Sequence, residues 1–142
     1  AVAYSPRRML VGGLGDALAT YFEARTVKEA GKTNFLQGMP TETSTALCRL
    51  CKDILLEDSA AAIQALDTNA VTPALERVVE ANTLLSGIGF ETGGICVAHS
   101  VHNGLTTQAV CAEYTHGEKV AFGLLTQLVL EGRPQEEFKK IQ

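Results

Sequence analysis

His99, His102 and His116 are the three histidines of this 142-residue chain, and all fall within Gly93–His116, which reads GGICVAHSVHNGLTTQAVCAEYTH. Histidine is the side chain best suited to ligate a transition metal or to move a proton near neutral pH. On a helix His99 and His102, three apart, share a face. His116 lies seventeen residues beyond His99, just ahead of the next helical pattern. Two ligands on one helix and a third at a helix start would suit a catalytic zinc, which takes three protein ligands and keeps one position open. The competing use is plain hydrogen bonding of buried imidazoles to the backbone.

The ligand set is open on spacing alone. His102 is one candidate for the third position and a carboxylate is the other. Asp16 stands on the glycine-rich segment GGLGDAL, where it either caps a helix or binds something. Glu91 and Glu118 are nearer rivals in sequence. Glu118 sits at a helix start, where an acid is favoured in any case.

The elements that must position these residues are helical. Arg8 to Val11 reads as a strand tail or extended entry, and Gly12, Gly13 and Gly15 as a break. From Asp16 apolar residues recur at the helical period until Gly31. Residues 32–40 read as a loop. Thr41 to Glu57 is a second helix, with Thr41 or Thr43 as its cap, and Ser59 to Leu66 a short third segment. Thr72, Pro73 and Glu76 open a strong helix that runs to Gly87 and Gly89. Ile95 to His102 is apolar nearly all round, which predicts a buried helix. The last helix spans about Gly117 to Leu130, and Gly132-Arg133-Pro134 ends it. With no strand of any length after residue 12, the expected fold class is all-α, a bundle of five to seven helices.

Composition narrows the partners. A net charge of -4 offers no basic surface for nucleic acid or an anionic membrane. No apolar run approaches the ~20 residues needed to cross a bilayer. The N-terminus lacks a signal-peptide layout, and Cys48, Cys51, Cys96 and Cys111 sit in apolar contexts, so a cytoplasmic location is expected. Both ends read as cut, which suggests either a piece of a longer protein or a naturally short product. Cys48-Arg-Leu-Cys51 lies within the apolar stripe of one helix and has no second pair, so core packing is expected. Gly13-Leu14-Gly15 lacks the third glycine and the following strand of a dinucleotide fingerprint.

Four segments in order, GGLGDALATYFEA, VTPALERVVEANTLLSGIGFETGG, AHSVHNGLT and HGEKVAFGLLTQLVLE, closely resemble glycerol dehydrogenases of the iron-containing (group III) alcohol dehydrogenase family. The resemblance runs from about Arg8 to Leu130. It implies that residues 1–142 form a single helical metal-binding domain, without the family's N-terminal NAD-binding domain or its last C-terminal helices. It further implies Asp16, His99 and His116 as metal ligands, with zinc the typical metal and iron or another divalent ion as alternatives. His102 then becomes a neighbour that could relay a proton, and Phe90 a wall of the substrate pocket. The implied reaction is reversible oxidation of a small polyol, glycerol, to dihydroxyacetone with NAD; no residue here is assigned to the cofactor. Two neutral ligands and one anion leave zinc a net positive charge, which lowers the pKa of a bound alcohol. Apolar surface freed by the missing parts favours a homo-oligomer. A different class also fits, a helical interaction or structural module that keeps the fold without catalysis.

Overall fold

The computed structural model describes residues 2–141. Seven α-helices follow in order: α1 Arg7–Glu29, α2 Glu42–Asp67, α3 Pro73–Glu80, α4 Ser86–Gly93, α5 Val97–Thr106, α6 His116–Leu130 and α7 Gln135–Ile141. A π-helical turn, Ala81–Leu85, joins α3 to α4 without a break. No strand occurs among the described residues, so the all-α expectation holds. No described helix is long and apolar enough to cross a membrane.

α1 and α6 cross at the centre of the bundle, with α2 packed along α1 and α5 laid on α6. Leu18 and Phe22 of α1, Cys51 and Leu55 of α2, Val78 of α3 and Val120, Leu124 and Leu128 of α6 meet in one core. Fully burying a side chain of the size of Leu124 contributes about 1.5–3 kcal/mol. Cys48 and Cys51 are completely buried, as their place in the apolar stripe predicted, and burial pushes their thiols up to about 11 and about 12. All four cysteines are free thiols.

Several expectations need correction. The glycines after Val11 do not break the chain: α1 begins at Arg7 and runs straight through Gly12, Gly13 and Gly15. Each glycine inside a helix is unfavourable by about 1 kcal/mol. The crossing of α6 offsets this, because a methyl at Gly15 would stand 2.8 Å from the Cβ of Ala121 and one at Gly117 would enter the Gly12 carbonyl. Asp16 is therefore about two and a half turns inside α1 and caps nothing. The segments 41–57 and 59–66 are one helix, α2, whose cap is Thr41 in a reciprocal capping box with Ser44. Finally, α5 is not buried on every side. Only Ala98 and His99 are buried, while Ser100, Asn103 and Gly104 face solvent. α5 has a single helix beneath it, so an apolar sequence ends half-exposed.

The other starts follow local chemistry. Thr72 caps α3 ahead of Pro73, as the sequence predicted. That helix continues through the π turn past Gly87 and Gly89 and stops at Gly94, where φ is +92°. α6 starts at His116, one residue earlier than expected. Thr115 accepts the N–H of Glu118, and the Glu118 carboxylate accepts the N–H of Thr115.

Candidate metal centre

Three helices converge at one point. α1 contributes Asp16 from its middle, α5 contributes His99 from its first turn, and α6 contributes His116 as its first residue. Asp16 Oδ1 lies 3.6 Å from His99 Nε2 and 3.3 Å from His116 Nε2. The three ligand atoms all fall within 4.8 Å of one another. Metal–ligand bonds of about 2.0–2.1 Å at tetrahedral angles separate ligand atoms by about 3.3–3.4 Å, so the two Asp16–histidine spacings suit a zinc-sized ion. The donor set, two imidazoles and one carboxylate, suits zinc and other first-row divalent ions.

His102 does not join the ligand atoms. Its Nε2 sits 2.9 Å from Nδ1 of His116, and its Nδ1 lies 3.1 Å from Oδ1 of Asn103. The rival acids are elsewhere. Glu91 is exposed on α4. Glu118 is held by Arg8 at 2.7 and 2.8 Å, and that pairing, with the Thr115 N–H, lowers its carboxyl to about 2.

Each histidine has a partner behind it. Nδ1 of His99 meets Glu23 Oε2 at 2.6 Å, and Glu23 is fully buried. Burial opposes a charge on His99, but the hydrogen bond and charge of Glu23, with Asp16, prevail and raise its pKa. His102 is displaced the other way. Burial, and the neighbouring His116, His99 and Lys119, lower its pKa against the opposing bond to Asn103.

The ligands open onto a cavity of about 490 Å³, lined among others by Thr20, Asn82, Ser86 and Phe90. Phe90 lines it edge-on to His99, ring centroids 5.6 Å apart, and stacks on Phe35 at 4.8 Å. The lining also carries polar groups, with the hydroxyls of Thr20 and Ser86 2.9 Å apart. Asn82 stands on the π turn, an irregularity frequent at functional sites.

Sequence reading missed Glu23 and Phe35. Glu23 carried one faint signal, a spacing of seven from Asp16, two turns along the same helix face. Phe35 belongs to a loop without periodicity and carried none.

With this geometry in view, the relatives are informative. No protein-family model matches the chain. A glycerol dehydrogenase of Escherichia coli is 54% identical over 140 residues, which cover 99% of this chain and 38% of that protein. The chain is homologous to glycerol dehydrogenases. A probable glycerol dehydrogenase from Sinorhizobium meliloti superposes with a TM-score of 0.94 at 46% identity, over 98% of this chain and 39% of that one. A glycolaldehyde reductase of Halobacterium salinarum is 51% identical over 140 residues, covering 96% of this chain and 38% of that protein. The chain thus spans about two fifths of the length of the relatives it matches.

The start of α6 yields a prediction. Thr115→Ala removes the cap that fixes His116 and is expected to lower stability by about 1 kcal/mol. Urea unfolding reads that loss, and zinc titration of the same variant should show weaker binding because the first turn frays. A variant as stable as the parent would mean that the capping box does not hold this end.

Proposed function

We propose that this chain supplies the metal-binding half of an active site that oxidises glycerol to dihydroxyacetone with NAD. The observation that carries the reading is the Asp16–His99–His116 cluster, whose spacings suit one tetrahedral zinc, at the mouth of a small cavity. Homology to glycerol dehydrogenases supports the substrate class, and the glycolaldehyde reductase relative marks other small hydroxylated substrates as the alternative. Iron or another divalent ion would fit the same donors.

Asp16, His99 and His116 would hold the metal. A metal held there would supply positive charge that lowers the pKa of a substrate hydroxyl, and a bound NAD would supply the hydride acceptor. The chain's own residues do the rest. Phe90 and Phe35 give the cavity an apolar wall against the carbon skeleton. Thr20, Ser86 and Asn82 offer polar groups to the hydroxyls that do not react. His102 would pass the released proton to solvent, a role supported by its partial exposure and its 2.9 Å distance from His116. No residue of this chain is assigned to NAD, which the complete enzyme would bind through a further domain.

Exposed Val110, Phe122, Val129 and Leu130 support a homo-oligomer. Free thiols and an NAD-linked reaction support a cytoplasmic setting.

Metal analysis of the purified chain tests the centre, with about one zinc per chain expected. No metal in a folded chain would favour a structural module instead. His102→Ala in a full-length enzyme tests the relay. A fall in kcat on the order of a hundredfold or more with a changed pH profile is expected; unchanged rate and profile would sink the relay.

A further inference from the structure

We propose that Glu23 is the positioning residue of this centre, holding His99 as the tautomer whose Nε2 lone pair faces Asp16 and His116. The inference rests on the metal reading above and adds the residue that prepares the ligand.

Glu23 is fully buried, which for an unpaired carboxylate would cost several kcal/mol. It is not unpaired. Its Oε1 accepts the backbone N–H of Cys96 at 2.8 Å and of His99 at 3.0 Å, and its Oε2 meets Nδ1 of His99 at 2.6 Å. Glu23 already serves as acceptor to two backbone N–H groups, and in the same role Oε2 takes the proton of Nδ1, which donates. The neutral ring then has no proton on Nε2, and that nitrogen points at Asp16 Oδ1, 3.6 Å away.

The backbone bonds explain how the acid tolerates burial. Cys96 at the N-cap of α5 contributes no side-chain cap, so the first N–H groups of α5 need an acceptor from elsewhere. Glu23 provides it from α1, and Gln127 of α6 accepts the N–H of Ala98 at 3.1 Å beside it. The positive end of α5 in turn stabilises the carboxylate. α1 therefore carries both Asp16 and, two turns later on the same face, the group that aims His99.

A purely structural role, capping α5 alone, makes a different prediction, and Glu23→Gln separates the two. The Gln carbonyl can still accept both backbone N–H groups. Its amide NH2 would donate to Nδ1 and force the proton onto Nε2, the atom a metal needs. Three readouts apply to the 142-residue chain. Zinc affinity, by competition with a chromophoric chelator, should fall about tenfold to a hundredfold in Glu23→Gln. Circular dichroism and thermal unfolding of the metal-free variant should stay near those of the parent. Nitrogen-15 NMR above the titration of His99 should find its proton on Nδ1 in the parent and on Nε2 in the variant. A parent ring protonated on Nε2, or a variant that binds zinc as tightly as the parent, would overturn the proposal. The parent tautomer is read without substitution, so that spectrum decides the matter if the variant does not fold. A parent that takes up no zinc would overturn the metal centre and this inference with it, and is distinct from a parent that binds zinc while Glu23→Gln binds equally well.

Discussion

Asp16→Ala is expected to abolish zinc binding by a chain that remains folded. Removing a group behind a ligand typically costs tenfold to a hundredfold in affinity, and removing the single anionic ligand should cost at least on the order of a hundredfold. Two neutral imidazoles would remain, with no charge to offset the ion. The fold should hardly notice. The Asp16 side chain is about a third exposed, and it faces the imidazoles of His99 and His116. Substitutions at such positions usually change stability by less than about 0.5 kcal/mol. The contrast is readable in one experiment. Zinc at a hundred times the parent's dissociation constant should stabilise the parent by about 2.7 kcal/mol against unfolding, and Asp16→Ala by about 0.4 kcal/mol or less. Equal stabilisation of both would remove Asp16 from the centre.

The largest loss of stability is expected from Gly117→Ala. A Cβ there would enter the Gly12 carbonyl, a backbone group that cannot swing aside, so α1 and α6 would have to part. Overpacking of this kind costs about 1–3 kcal/mol and more where backbone must move, so about 3 kcal/mol or more is expected here. Gly104→Ala is the control. That glycine also lies inside a helix, but nothing stands within 4 Å of its would-be Cβ. The same substitution there should stabilise by about 0.5–1 kcal/mol, through helix propensity. Urea unfolding of both variants gives opposite signs if the crossing is as tight as described. Like signs would contradict it. Because Gly117 follows His116, the destabilised variant should also bind zinc more weakly.

How far the sequence could be read depended on the range of the forces involved. Thr72 with Pro73 declares a helix start through bonds within four residues, and the structure keeps that start. Gly12, Gly13 and Gly15 were misread because their reasons are distant in sequence: Gly12 and Gly15 face the start and first turns of α6, and Gly13 faces Asn82 on the π turn. The apolar run around α5 announced burial, but burial depends on how many neighbours the bundle supplies, which no local pattern records. The histidines stood out by type and clustering. Asp16 could not be separated from Glu91 or Glu118 by spacing; the family resemblance singled it out, and the structure brings it to His99 and His116. Glu23 was invisible because a helical acid is ordinarily solvated, and its partners are 73 and 76 residues further on.

The half-exposed setting of α5 has a kinetic consequence. α5 lies on α6 and touches α1 at few points, so it is the ligand-bearing helix with the least to hold it. Its amides should exchange with solvent sooner than those of α1 or α6. Each such opening withdraws His99 while Asp16 and His116 stay in place. Release of a bound ion to a chelator would then keep time with the opening of α5, and the lifetime of the loaded state would be governed by this short helix more than by the strength of any bond to the metal.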